Sequence, residues 1–557
     1  MMLASRYLKV DCESYEDFVK NCKIHLPENF NFAFDVVDEL ASISPTKKAM
    51  IWCNSEGEEK IFTFSDLKRE SNCTANFFKV LGVKKNDAVM VILKRRYEYW
   101  FCAIALHKLG ALLIPATHLL TARDIKYRIK TADVKIIVAS ADKRIVNVIN
   151  EAKKDLPELQ FLISVNGCAN GWIDYSKEVK KFSSVFKRPV GGEATKISDD
   201  FILYFTSGTT GMPKMVCHDF SYPLGHIITA RFWQNLNDES LHFTVADTGW
   251  AKASWGKIYG QWLCGACVFT YDYERFNPAD LVEKVVRYGV TSFCAPPTVY
   301  RHMIKEDFSK YDLSRLEYVE TAGEPLNPEV FYQFKKMTGL EIKEGFGQTE
   351  AVVLIATFPW MRVKPGAMGK PSAGWNIDVI DEKNSPCTFG EIGRLVVRTG
   401  KQKPTGLFSK YYKNKPLTKT VWKNDIYDTG DIVYKDEDGY FWFVGRSDDI
   451  IKSSGYRVGP FEVESALIEH PCVLECAVTG IPDLDRGAVV KASIVLAVGY
   501  NPSVKLVKEL QEHVRKMTAP YKYPRVIEFV KKLPKTISGK IRRKEIRDNE
   551  SFDKVFS

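Results

Sequence analysis

The densest chemistry in the chain lies in Thr206-Ser-Gly-Thr-Thr-Gly-Met-Pro-Lys214. Gly208 and Gly211 permit positive φ and let backbone N–H groups approach a ligand closely. The hydroxyls of Thr206, Ser207, Thr209 and Thr210 are donors, Met212 and Pro213 carry the turn onward, and Lys214 is a cation. A small, donor-rich, glycine-broken segment is what a polyphosphate cradle needs. It is not a Walker A loop, because no Gly-Lys-Ser/Thr follows at the required spacing. A plain hydroxyl-rich turn is the alternative, but the apolar run Phe201-Ile-Leu-Tyr-Phe205 feeds directly into it. The other chemistry-bearing spacings are weaker. Cys264 and Cys267 form a lone CxxC inside an apolar run, which reads as core packing. The nine histidines contain no HExxH.

The elements that must position the loop alternate in type. Ala88–Leu93 reads as a buried strand, 97–109 as a helix, 111–115 as a strand, 122–132 as a helix and 135–139 as a strand. Such alternation implies βαβ units and a mainly parallel sheet. Near residue 380 the pattern changes. Ile377–Ile380 and Gly393–Arg398 are strand-like and flank Gly/Pro turns, which implies a smaller antiparallel β subdomain. The polar cluster Gly445-Arg-Ser-Asp-Asp449 then separates two apolar runs. Beyond it come a helix near 461–469, strands near 473–480 and 489–497, and a helix near 505–516. The fold class expected is therefore α/β, with a large domain over 1–445 and a small α+β domain over 446–557.

Composition bounds the function. The chain has 557 residues, is 45% hydrophobic and carries a net charge of +10. Its length supports more than one core. The charge favours anionic ligands without calling for nucleic acid. It concentrates late: residues 515–547 hold twelve Lys or Arg against two Glu. Thirteen irregularly spaced cysteines read as reduced thiols of a cytoplasmic protein. The N-terminus lacks a signal-peptide pattern. The most apolar window, 97–117, is broken by His107, Lys108, Gly110 and Pro115, so no membrane insertion is expected.

The loop resembles the phosphate loop of the adenylate-forming superfamily: acyl-CoA synthetases, luciferases and adenylation domains. Five further segments resemble that family's motifs in its order. They are Ala322-Gly-Glu-Pro325, Glu344-Gly-Phe-Gly-Gln-Thr-Glu350, Tyr427-Asp-Thr-Gly-Asp431, Gly445-Arg-Ser-Asp-Asp-Ile-Ile-Lys-Ser-Ser-Gly-Tyr-Arg457 and Leu533-Pro-Lys-Thr-Ile-Ser-Gly-Lys540. The likeness is strongest to medium-chain-type acyl-CoA synthetases. Asp247-Thr-Gly-Trp250, Ala295-Pro-Pro-Thr-Val-Tyr-Arg301, 454–460 and 518–525 carry it.

The resemblance implies a two-step ligase using ATP, Mg²⁺ and CoA. A carboxylate attacks the α-phosphate, and a thiol then takes the acyl group. Lys540, Glu350 and Thr206 would be catalytic, with Glu350 and Thr206 at the metal. Residues 206–214, Gly323, Glu324, Pro325, Glu344, Gly345, Phe346, Gly347, Gln348, Thr349, Asp431, Arg446, Arg457 and Lys540 would bind ATP or AMP. The small domain would rotate about Asp448 between steps. Ser454, Gly455, Tyr456, Arg486, Arg515, Tyr523, Pro524 and Arg525 would then meet CoA. Trp250, Lys252, Trp255 and Gly347 would line the acyl pocket. A glycine at 347 opens space behind the carboxylate, and Trp255, if it points inward, shortens the tunnel. That predicts a short or branched acid of a few carbons, with medium-chain acids and aromatic acids such as benzoate still open. The alternative is that Trp255 packs in the core and the tunnel stays long.

Other classes remain at this point. The chain would load a separate carrier protein, or bind nucleotide silently, or act oxidatively like a luciferase. Lys540, Glu350 and Asp431 at their matching positions argue against silence. A homodimer, and an acetyltransferase and deacetylase acting on Lys540, are partners the resemblance allows. Acetylation would remove the Lys540 charge.

Overall fold

The computed structural model describes residues 2–206, 213–400, 403–423, 425–453, 456–483, 486–536 and 540–548. Among these, an eight-stranded sheet runs in space through Lys410–Tyr411, Lys214–Asp219, Asp200–Thr206, Leu112–Pro115, Ala88–Ile92, Ile136–Ser140, Phe161–Val165 and Ile173–Asp174. From Asp200–Thr206 to Ile173–Asp174 all neighbours are parallel. The central strands Ala88–Ile92 and Leu112–Pro115 are buried throughout, which is why they read as continuous apolar runs. The helix Glu98–Leu109 between them is buried at every position and ends on Gly110 at φ 66. The apolar window is thus a core helix running into a strand. Lys108 sits inside that helix because its Nζ donates to Asp38 and Asn72.

A fourteen-stranded sheet forms the second layer. Its parallel part is Cys267–Asp272, Leu241–Thr244, Ser292–Ala295, Tyr318–Ala322 and Ile342–Gln348. The early strand Lys48–Asn54 joins it beside Cys267–Asp272, a pairing across more than two hundred residues. At Ala351–Ala356 the sheet turns antiparallel. It continues through Ala367–Pro371, Phe441–Arg446, Ile426–Lys435 and Gly393–Arg398 to Ile377–Ile380. The antiparallel β region expected near residue 380 is therefore the far wing of this sheet.

Residues past 450 build cores of their own. Val473–Asp483, Gly487–Leu496 and Val526–Phe529 form a three-stranded sheet under the helices Pro460–Ile468 and Val504–Met517. Leu506, Leu510 and Val514 recur every four residues, make one stripe and are buried. Each such side chain stabilises by about 1.5–3 kcal/mol. All thirteen cysteines are free thiols, and Cys264 packs with Ala230, Leu236 and Ala266. Among the described residues no helix is long and apolar enough to cross a membrane.

Candidate active site

The parallel strands Tyr318–Ala322 and Ile342–Gln348 end side by side, pairing Ala322 with Gly345. Crevices beyond the carboxyl ends of such strands are where α/β sheets bind ligands. Glu344 fastens the two strand ends. Its Oε2 accepts from the Leu326 N–H at 3.3 Å, and its burial pushes the carboxyl up to about 8. Glu324 lies 4.0 Å from the Arg301 guanidinium. Phe346 points away from Gly345 and Gly347 and is half-buried against the core.

Gln348 then reaches across to the antiparallel wing. Its Nε2 donates to Asp431 Oδ2 at 2.5 Å and to the Thr429 carbonyl at 2.9 Å, while its Oε1 accepts from Tyr427 OH at 2.7 Å. Arg446 Nη1 donates to the other Asp431 oxygen at 2.9 Å. Both oxygens of Asp431 are held, and burial pushes its carboxyl up despite the guanidinium beside it. A Cβ on Gly430, whose φ is 72°, would stand 2.7 Å from Arg446 Nη2, so the approach requires glycine.

Glu350 lies at the turn after this strand. Its backbone carbonyl accepts from Phe408 N–H at 2.7 Å, and Oε1 accepts from Tyr411 OH at 2.9 Å. Among the described residues only Tyr411 bonds that carboxylate. An open carboxylate oxygen with a hydroxyl such as Thr206 is the hard oxygen donor set that suits Mg²⁺. Thr206 and Lys214 face each other across the hairpin of Asp200–Thr206 and Lys214–Asp219, and Tyr127 OH donates to the Pro213 carbonyl. Ser207, Gly208, Thr209, Thr210, Gly211 and Met212, between them, lie outside the described residues, as do Ser454 and Gly455. His218 Nε2–H donates to the Thr349 carbonyl at 2.7 Å; burial pulls this imidazole down to about 4, so it is a neutral strut.

Lys540 is exposed, with its backbone bonded on both sides to Thr536. Its ammonium acts electrostatically on the buried Asp431 and on Lys252. Its charge is therefore within electrostatic reach of the cluster built from 322–326, 344–350 and 427–446. Arg457 is not drawn into that cluster: its guanidinium pairs with Glu382.

The acyl candidates pack tightly. A Cβ on Gly347 would stand 2.3 Å from Cη2 of the Trp255 ring, and one on Gly345 would stand 2.4 Å from Trp233. The two indoles meet edge to face at 6.0 Å. Trp255 is 7% exposed, so its ring fills the room that Gly347 leaves. Lys252 Nζ donates to the Ala322 carbonyl at 2.9 Å, and its burial lowers the ammonium. Trp250 is half-buried at the start of the helix Ala251–Gly256.

Of the CoA candidates, three converge. Arg515 and Arg525 lie over the Tyr523 ring at 3.9 and 5.0 Å, and Arg525 also donates to its hydroxyl. Tyr456 instead stacks on Tyr521 at 4.1 Å, the Pro524 carbonyl accepts from Gln511, and the Arg486 N–H donates to Asp483. Asp448 is exposed in the turn after Phe441–Arg446. Sequence reasoning missed Tyr411, Trp233 and His218. Tyr411 belongs to a two-residue strand with no pattern of its own, and Trp233 meets Gly345 only through the tertiary fold.

Comparison with known proteins identifies the family and the fold. Residues 37–412 match the family described as AMP-binding enzyme, and residues 462–540 match its C-terminal domain. The rat acyl-coenzyme A synthetase ACSM3, mitochondrial, is 42% identical over 96% of this chain and 93% of its own length. The human acyl-coenzyme A synthetase ACSM4, mitochondrial, is also 42% identical, over 96% and 92%. The crystal structure of the anthranilate CoA ligase AuaEII with anthranoyl-AMP superposes with a TM-score of 0.85 at 28% identity, covering 94% of this chain and 98% of that one. The large domain of mixed sheets and the small late domain thus match the fold of this ligase, and the chain belongs to the AMP-binding enzyme family.

Proposed function

We infer that the chain is an AMP-forming acyl-CoA synthetase of the medium-chain type. A carboxylate oxygen attacks the α-phosphorus of ATP, the bond to the bridging oxygen breaks and pyrophosphate leaves. The thiol of CoA then attacks the acyl carbon, and AMP leaves. The observation that carries the reading is the Gln348–Asp431–Arg446 cluster with Glu350 beside it and the Lys540 charge within electrostatic reach. Two anions must meet in the first step, so positioning and positive charge supply most of the rate.

In this reading Asp431, oriented by Gln348 and Arg446, accepts the ribose hydroxyls. The 206–214 loop holds the phosphates. Lys540 neutralises charge between the carboxylate and the α-phosphate. Mg²⁺, held by Glu350 and Thr206, would screen the leaving pyrophosphate. Arg515, Tyr523 and Arg525 form a cationic aromatic patch suited to the CoA nucleotide. The Asp448 turn is the hinge between the two domains.

The acid is short or branched. The Trp255 ring against Gly347 supports this, because it occupies the volume a longer tail would need. The compartment is a reducing one, consistent with thirteen free thiols. The cytoplasmic expectation stands beside relatives named mitochondrial, and imaging the tagged full chain against a mitochondrial marker separates the two. The activity test is a carboxylate panel with ATP and Mg²⁺, following pyrophosphate and AMP with and without CoA. CoA-dependent AMP release peaking at short or branched acids is expected. Pyrophosphate exchange without CoA turnover would move the reading to a carrier-loading enzyme.

A further inference from the structure

Tyr411 sits between the metal carboxylate and the phosphate loop, though no motif points to it. Its backbone, in the two-residue strand Lys410–Tyr411, pairs with Val216 and Cys217 on the strand that leaves the loop. Its ring is 3% exposed and packs on Phe408 at 4.9 Å. The phenol donates to Glu350 Oε1 at 2.9 Å. An ionised carboxylate only accepts, so the proton must come from the phenol. The ring face carries Lys214 Nζ at 5.4 Å from its centroid. Lys214 in turn pairs across the hairpin with Thr206.

One side chain therefore touches both the carboxylate read as the metal ligand and the cation that closes the phosphate loop. A glutamate has three side-chain torsions. The Phe408 N–H fixes the Glu350 backbone but none of those torsions. Tyr411 does restrain them, since it holds one oxygen and leaves the other unbonded by any described residue. We propose that Tyr411 is a positioning residue that holds Glu350 in its metal-ligating pose and ties that pose to Lys214. This rests on the reading of Glu350 as the metal ligand.

The test is Mn²⁺ binding, read by electron paramagnetic resonance on the full chain with α,β-methylene-ATP, beside thermal unfolding. Tyr411→Phe removes one oxygen and keeps the ring under Lys214. Outer-shell partners of metal ligands change metal affinity by about 10–100-fold, and here a loss of about tenfold is expected. The melting temperature and the KM for the acid stay where they were. In a Glu350→Gln background the Tyr411→Phe change adds nothing further. If Glu350→Gln weakens Mn²⁺ and Tyr411→Phe does not, the role of Tyr411 is overturned while Glu350 stands. If neither weakens it, Glu350 is not the ligand and both readings fall. A Tyr411→Phe protein that melts lower and turns over more slowly at unchanged Mn²⁺ affinity is merely a packing mutant, which also overturns the proposal.

Discussion

Replacing Trp255 by Leu should lengthen the acid that the enzyme prefers. The indole stands in contact with the Gly347 backbone, where a Cβ would come within 2.3 Å of one ring carbon and 2.7 Å of another. Its remaining sides meet Trp233 at 6.0 Å and His226 at 6.2 Å. With both neighbours buried, the space left by the shorter side chain has nothing ready to collapse into it. A void of roughly 50 Å³ costs about 1 kcal/mol at about 24 cal/mol per Å³. An acid longer by two methylenes recovers that volume. At about 0.8 kcal/mol per buried methylene it gains about 1.6 kcal/mol, or roughly fifteenfold. The assay is kcat/KM for butyrate, hexanoate and octanoate, followed by pyrophosphate release. The hexanoate-to-butyrate ratio within one enzyme cancels general damage to the site. It should rise by about tenfold or more in Trp255→Leu. Gly347→Ala should move preference the other way, since the added methyl meets the ring and the Val352 carbonyl at 2.7 Å, an overpacking of about 1–3 kcal/mol. A ratio that stays at its wild-type value in Trp255→Leu refutes the reasoning and makes Trp255 a core residue beside a longer tunnel.

Three further outcomes follow from the same geometry. Lys540→Ala, or acetylation of Lys540, should cut pyrophosphate release by about a hundredfold or more, while the thiol step from supplied acyl-adenylate is kept; full pyrophosphate release from an acetylated sample would end the assignment. Asp448→Pro should leave pyrophosphate exchange within a few-fold of normal and slow CoA-dependent AMP release by about a hundredfold; equal losses in both half-reactions would count against a hinge there. Lys257→Met should stabilise the chain. Among the described residues Lys257 Nζ is buried with no hydrogen-bond partner, and burial, with the Arg95 guanidinium near it, pulls the ammonium down to about 7. Between pH 7 and about 10.5 the unfolded chain binds the extra proton, so native stability rises with pH across that window. The cost is complete below pH 7 and fades toward pH 10.5. The rise in Tm from Lys257→Met should therefore be largest at pH 7 and below and shrink by pH 10; a rise that does not change with pH would refute the assignment.

Local pattern made much of the fold legible. The helix Ala122–Ala132 has the ends its sequence predicts, because Thr121 and Asp124 cap each other reciprocally. The buried strands Ala88–Ile92 and Ile136–Ser140 are legible from their unbroken apolar runs. Non-local pairing was not. Nothing near Lys48–Asn54 says that it joins Cys267–Asp272, and nothing near residue 380 says that its strands extend the sheet carrying Ile342–Gln348. The site divides in the same way. Glu350 and Asp431 lie in segments that resemble family motifs. Tyr411 does not: its role comes from a hydrogen bond to a residue 61 positions away. Arg457 was expected at the phosphates or ribose and pairs with Glu382, because its strand Tyr456–Val458 belongs to the late hairpin with Ile451–Ser453.

The contacts around Asp448 explain why a rotation there would separate the two half-reactions. On one side the Ser447 N–H donates to the Gly430 carbonyl, anchoring the chain to the strand that carries Asp431. On the other side the Asp449 carboxylate accepts from Arg547 at 2.7 Å and lies 3.8 Å from Arg543, anchoring it to the last helix. Asp448 is exposed between two fastened neighbours, so in this reading backbone change would concentrate there. The groups that hold AMP in this reading, namely Gln348, Asp431 and Arg446, all precede it and keep their mutual bonds through such a motion. Lys540 follows it and would leave. Among the described residues, the polar contacts that cross are Asn327 Nδ2 to the Ser465 carbonyl at 3.2 Å and the exposed Arg457–Glu382 pair, beside the Phe461 ring on Phe443 at 6.4 Å. A neutral hydrogen bond contributes about 1 kcal/mol net and an exposed ion pair about 1 kcal/mol or less. Polar ties of that size are small beside the binding energy of a nucleotide, so in this reading loss of pyrophosphate and arrival of CoA would shift the balance between the two orientations.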